Sequence, residues 1–155
     1  MGALALLVSA SPNALEFIAR TTDRFVNHPT GYLIAGIMLL ALFVFYQQRR
    51  GYRRSPRNNL WLVYLLYISV VEELTFRLLL PLAPSNTVDF YVAVVISNLI
   101  FAAIHYVTLR WHLRNCLFVV IGGMGFAHML AIHQDLTAVI LAHWFFTFLH
   151  TPAPP

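Results

Sequence analysis

Apolar residues fall into five blocks along this chain, separated by short polar or proline-bearing breaks: Tyr32 to Tyr46, Leu60 to Leu80, Phe90 to Leu109, Cys116 to Leu130 and Leu136 to Leu149. Each approaches the ~20 apolar residues that an α-helix needs to cross a hydrocarbon core of about 30 Å, and each is predicted to be a span. The second block stops at Pro81, with Pro84 close behind, where proline removes a backbone donor. Upstream, residues 13–27 mix charges with Leu15, Ile18 and Phe25 at helical spacing, a pattern that predicts a short interfacial helix. The run Ala3 to Ala10 is apolar, but it is short and lacks the preceding basic residue of a cleaved signal peptide. The tail Thr151–Pro155, rich in proline, cannot extend a helix. The predicted fold is therefore all-α, a polytopic transmembrane bundle of about five spans plus an N-terminal interfacial helix, in one membrane domain covering residues 1–155. Gly122, Gly123 and Gly125 in the fourth block are positions where helices can approach closely.

Composition strengthens this picture. The chain is 59% hydrophobic and only 10% charged, far from the roughly 25% charged residues of a soluble domain. All ten basic residues are arginine, and the basic pI alone would suit nucleic acid. Five of them, however, sit together in residues 47–57 between two apolar blocks, as in a cytoplasmic loop under the positive-inside bias. The segment Ala83–Asp89 has no basic residue and is expected on the other side. That bias puts the N-terminus outside and the C-terminus in the cytoplasm, in a membrane expected to be a bacterial inner membrane. The expected partners at this point are membrane lipids, with no nucleic acid. A single cysteine, Cys116, excludes an internal disulfide and reads as packing.

The chemistry lies in residues that lipid disfavours. Glu72 and Glu73 fall near the middle of the second block, where each charge costs about 2.5–3.5 kcal/mol on insertion scales. Arg77, four residues after Glu73, is on the same helical face and in the favourable order for pairing. Glu72 is turned about 100° from Glu73. Glu73 is thus expected to be a structural ion-pair partner, and Glu72 the freer carboxylate, suited to a general base. The plain alternative is that both only make interhelical contacts. His105 in the third block and His143 in the fifth add imidazoles on two further helices. Either alone is often a hydrogen-bonded packing residue. Together with a buried carboxylate pair they supply what attack of water on a peptide carbonyl requires, one sharing a water with Glu72 and one donating to an oxyanion. His128 and His133, with Asp135 nearby, are candidates for an outer rim or an adventitious metal. His28, His112 and His150 are expected to be solvated.

These residues resemble a known family. Glu72-Glu73-Leu-Thr-Phe-Arg77 matches E-E-x-x-x-R, Phe101-Ala-Ala-Ile-His105 matches F-x-x-x-H, and His143-Trp-Phe-Phe-Thr147 is similar to H-x-x-x-N. In this order on successive spans, over roughly residues 60–150, they resemble the CAAX prenyl endopeptidase and bacteriocin-processing (Abi) family of intramembrane proteases. The resemblance implies an endopeptidase acting on a membrane-associated peptide or protein substrate, in which Glu72 and His105 activate water, His143 and Thr147 stabilise the oxyanion, and Glu73 and Arg77 support the site. Thr147 stands where the family pattern has asparagine; its hydroxyl can donate one hydrogen bond, over a shorter reach. The family has been discussed in both metal-dependent and glutamate-dependent terms. No H-E-x-x-H motif is present, and the metal-free reading is favoured. If a metal is used, the expected one is zinc on Glu72, His105 and His143.

Other classes compete. A non-catalytic membrane immunity or scaffold protein would keep the fold without turnover. A proton or metal transporter would also use buried carboxylates and histidines, but no inverted repeat surrounds them. A bis-histidine haem protein leaves the acidic pair unexplained. One geometric demand remains: with spans drawn as straight rods, Glu72 and His105 differ in depth by about 10 Å. To meet, the third helix must shift, tilt or begin later than Phe90.

Overall fold

A computed structural model of the protein describes residues 12–52, 55–82 and 88–154. The apolar run Ala3 to Ala10 and most of the Ala83–Asp89 segment lie outside these residues, as do Arg53 and Arg54. The described residues are helical, without a strand: α1 Pro12–Asn27, α2 Pro29–Arg49, α3 Pro56–Glu73, a π-helical segment Leu74–Leu79 (π1), α4 Leu80–Leu82, α5 Phe90–Thr108, α6 Leu113–His133 and α7 Leu136–His150. Local chemistry sets the boundaries. Ser55 caps α3, its hydroxyl accepting from the Asn58 N–H at 3.2 Å, with Pro56 at the first helical position. Asp89 caps α5 through the N–H groups of Tyr91 and Val92. Gln134, left-handed at φ 47°, ends α6, and Asp135 immediately caps α7 through the Ala138 N–H.

The polarity of the bundle is reversed relative to a soluble protein. Ile37 on α2 and Val107 on α5 are 68% and 71% exposed, whereas Glu73 and Asn98 are fully buried. Apolar residues outside and paired polar residues inside are what a hydrocarbon solvent selects. The protein is an integral membrane protein. α2, α5 and α6 are long and apolar enough to cross a membrane. Two of the five expected spans do not meet that measure, for physical reasons. α7 has 15 residues, about 22 Å of helix. The α3–π1–α4 rod carries Glu72, Glu73 and Arg77, so its apolar run is broken.

Two apolar clusters bracket the interior. Near the arginine-rich end, Phe43 stacks on Phe148 at 4.0 Å and meets Trp144 edge-on, over Leu62 and Leu65. The Trp144 indole N–H donates to the Leu62 carbonyl at 3.0 Å. The tail turns back onto this end, where Gln47 and Trp61 donate to the carbonyls of Pro152 and Thr151. At the opposite end, Leu78, Leu130, Leu136 and Val139 pack together, joined by Phe17 and Ile18 of α1. In α1 the inward residues are Phe17, Ile18 and the buried Thr21, while Leu15 and Phe25 of the expected stripe are exposed. Tyr32 donates to Asp135 at 2.5 Å, tying α2 to the α7 cap, so Asp135 is not open to the neighbouring His133.

The second block does not stop at Pro81. An α-helical proline would clash with the carbonyl of Arg77, four residues back, and could not donate to it. The wider π turn from Leu74 removes that conflict and carries the helix to Leu82. It also leaves one carbonyl without a helical partner: the Leu80 N–H goes to Thr75, and the residue that would serve Phe76 is Pro81. The hydroxyl of Ser97 on α5 donates to the Phe76 carbonyl at 2.7 Å instead. Ser97→Ala is therefore expected to lower stability by about 1–3 kcal/mol, the cost of a buried unpaired carbonyl. Ser69→Ala, which removes only a hydroxyl bonded back to Leu65 in its own helix, is expected to be near neutral. Unfolding midpoints of the two variants in detergent micelles check the contrast.

Candidate active site

Between the two clusters, four helical segments bring charged side chains to one place. Glu72 and Glu73 end α3, Arg77 lies in π1, His105 is near the end of α5, and His143 is midway along α7. The Nε2 of His143 is 3.4 Å from Glu72 Oε2, and the Nε2 of His105 is 4.0 Å from Glu72 Oε1. One carboxylate is thus flanked by two imidazoles. The Glu72 side chain is 21% exposed, the most open of the group.

The Glu72–His105 approach resolves the depth mismatch. α5 begins at Phe90 as predicted, so a late start is not the cause. Helical side chains lean toward the N-terminus of their own helix, and α3 and α5 run in opposite directions along the bundle. The two side chains therefore lean toward each other. The lean is visible at His105, whose Nδ1 is 2.8 Å from the Phe101 carbonyl one turn back. Because a carbonyl only accepts, that Nδ1 carries a proton, and the ring turns its Nε2 toward Glu72.

Glu73 does more than pair with Arg77. Its Oε1 is 2.6 Å from His143 Nδ1, and its Oε2 is 3.5 Å from Arg77 Nε. The short contact makes His143 Nδ1 the donor and aims the Nε2 at Glu72. The two glutamates are therefore joined through a single imidazole. Sequence spacing gave the Glu73–Arg77 pair but not this contact, because no local periodicity relates α3 to α7. Phe101, the aromatic of the F-x-x-x-H motif, packs at the centre: its ring lies 4.5 Å from His105, 4.7 Å from Phe76 and 5.1 Å beneath the Arg77 guanidinium. Phe126 of α6 stacks on His143 at 5.2 Å, and Trp111 lies 5.0 Å from His105. Asn98 and Ser97 are further buried polar residues that motif matching missed, although Asn98 precedes His105 by seven residues, in helical phase with it.

The remaining candidates take no part in these contacts. Thr147 is half-buried one turn from His143; among the described residues its hydroxyl has no hydrogen-bond partner, and its carbonyl receives Thr151. His128 and His133 are exposed, as are His28, His112 and His150. Cys116 is a buried free thiol. Donor atoms on one zinc ion lie roughly 3.3 Å apart for bonds of about 2.0–2.1 Å. Among the described residues no three His, Cys, Asp or Glu side chains gather into such a set, and the 4.0 Å approach of His105 is the long edge.

The burial difference separates the two glutamates experimentally. Glu73→Ala strands a buried guanidinium and frees His143, and is expected to cost about 3–5 kcal/mol. Glu72→Ala, at a partly open position without a close hydrogen bond, is expected to cost less than about 1 kcal/mol. Denaturant titration of both variants in micelles measures this.

Comparison with known proteins agrees with the motifs. No curated protein and no solved structure matches the chain. The family model described as type II CAAX prenyl endopeptidase Rce1-like matches residues 56–149, from the start of α3 to the last turn of α7. That span includes every charged residue of the site and well over half of the chain. The protein belongs to the Rce1-like type II CAAX prenyl endopeptidase family, in the general class of intramembrane proteases.

Proposed function

We propose that the protein is an intramembrane endopeptidase that hydrolyses a peptide bond near the membrane surface, in a prenylated or otherwise membrane-associated substrate. The observation that carries this reading is the Glu72 carboxylate between two imidazole Nε2 atoms, at 3.4 and 4.0 Å. With both Nδ1 atoms committed, to Phe101 and to Glu73, both Nε2 atoms are turned toward the Glu72 carboxylate. In this scheme a water beside Glu72 and His105 finds an acceptor in each for its two O–H groups. Glu72, aided by His105, takes a proton as the water oxygen bonds to the carbonyl carbon. His143 carries a proton on Nε2 as well as on Nδ1, an imidazolium held between the carboxylates of Glu72 and Glu73, and its Nε2–H donates to the developing oxyanion. Collapse breaks the C–N bond as the proton held by Glu72 passes to the leaving amine, and the remaining water-derived proton leaves the new carboxyl group, giving a carboxylate and an amine. Thr147, one turn from His143, is the second oxyanion donor in this scheme.

The scheme uses only the chain's own groups; of the two separations around Glu72, 3.4 Å suits donors on one zinc and 4.0 Å is longer, so zinc would be held by Glu72, His105 and His143 only with a shift of His105. The arginines at the α2–α3 and α5–α6 ends support a cytoplasmic location for that end and for the tail packed on it. Membrane lipids and the substrate are the proposed partners, and the bacterial inner membrane is the proposed site. A second reading, a non-catalytic immunity or scaffold protein, is favoured by one observation, the unengaged hydroxyl of Thr147.

The test is cleavage of a prenylated CAAX peptide by the purified protein in lipid vesicles. Glu72→Gln and His105→Ala are each expected to lower turnover by about 10²–10⁴-fold without unfolding the protein. Wild-type rates in either variant contradict the mechanism, and peptide binding that survives Glu72→Gln with no cleavage by the wild type favours the scaffold. Dialysis against a zinc chelator is expected to leave turnover unchanged; loss that zinc restores would assign Glu72, His105 and His143 as ligands.

A further inference from the structure

Among the described residues, five buried side-chain nitrogen or oxygen atoms lack a hydrogen-bond partner, and all five belong to Glu73, Arg77 and Asn98. The set is complementary. Arg77 contributes only donors, at Nε, Nη1 and Nη2, and the acceptors are Glu73 Oε2 on one side and Asn98 Oδ1 on the other. A guanidinium has five N–H groups in a rigid fork, and a single carboxylate oxygen at 3.5 Å cannot hold it.

The orientation of Asn98 is fixed. Its Nδ2 donates to the Val94 carbonyl at 2.9 Å and lies 3.5 Å from Met124 Sδ, which leaves Oδ1 as the free end. That oxygen and Arg77 Nη2 converge on one point of α6. A Cβ built on Gly123 would lie 2.1 Å from Asn98 Oδ1 and 3.0 Å from Arg77 Nη2. Gly122 and Gly125 have nothing within 4 Å, so of these three glycines only Gly123 serves a contact with another helix.

We propose that Asn98 and Gly123 are positioning residues for the reaction: Asn98 Oδ1 holds the outer edge of the Arg77 guanidinium, and the bare Cα of Gly123 gives that contact its room. The hold passes from Asn98 to Arg77, from Arg77 to Glu73, and from Glu73 to His143 Nδ1, which sets the aim of His143 Nε2 at Glu72. Neither Asn98 nor Gly123 contacts the reacting atoms. Each acts through the orientation of one imidazole, where a displacement of about 1 Å is enough to cost a hundredfold in rate.

The kinetic arm of the test rests on the proteolytic reading, and a spectroscopic arm does not. In protein carrying ¹⁵N-labelled histidine, the Nδ1 proton of His143 reports its bond to Glu73. Asn98→Leu and Gly123→Ala are expected to move that resonance and to lower kcat about tenfold or more at unchanged KM. Asn98→Asp, which keeps an acceptor toward Arg77 but gives up the Nδ2 donor to Val94, is expected to recover a clear part of both losses of Asn98→Leu, and Gly122→Ala to change neither. Should Asn98→Leu fail to fold, Gly123→Ala and Asn98→Asp still decide the matter. An unmoved His143 resonance in Gly123→Ala, or a kcat loss that Asn98→Asp does not recover even in part, overturns the proposal. If the wild type cleaves no prenylated peptide, the proteolytic reading fails while the resonance still decides whether this clamp exists.

Discussion

The contact between Glu73 and His143, 2.6 Å across the interface of α3 and α7, is the constraint on which the rest of the interior depends. A carboxylate with no exposed surface inside lipid cannot persist unless both its oxygens are engaged. Glu73 meets that demand with an imidazole on one oxygen and a guanidinium on the other. Each partner must in turn be held, and so the interior fills with residues that serve them: Phe101 beneath Arg77, Phe126 against His143, and Asn98 facing Arg77 across Gly123. Lipid offers no hydrophobic drive for helix association, and this polar web supplies specificity that apolar contacts cannot.

The same constraint separates two adjacent and identical side chains. Glu73 is consumed by structure. Glu72, about 100° further round the helix, faces the two histidine Nε2 atoms and keeps some exposure. The π turn that begins one residue after Glu73 belongs to this design. It lets Pro81 remain in the helix, and the carbonyl it releases is taken by Ser97, which pins α5 beside the site.

Much of this was legible in the sequence because it is local or compositional. Five apolar blocks gave the helices; the acidic pair and Arg77 marked the site by their cost in lipid; helical phase assigned Glu73 to Arg77. Residues four apart in α5 placed Phe101 with His105. What spacing could not supply were the relations between helices. The bridge from Glu73 to His143 spans 70 positions, and Asn98 Oδ1 and Arg77 Nη2 come to the same point beside Gly123 only after α5, π1 and α6 have packed. Backbone depths on straight rods leave out the opposed lean of side chains on antiparallel helices, which brings Glu72 and His105 toward each other although α5 starts at Phe90 as expected. The stop expected at Pro81 erred because a π turn, rather than a break, relieved the proline.

Glu72 and His105 acting on one water is the central claim, and a double-mutant cycle on turnover tests it most directly. Wild type, Glu72→Gln, His105→Ala and the double variant would be compared with the same prenylated peptide in vesicles. Residues that act as one unit are grossly non-additive, so the double variant is expected to be no slower than the slower single variant. Losses that multiply across the cycle would show two independent contributions and contradict a shared water between Glu72 and His105.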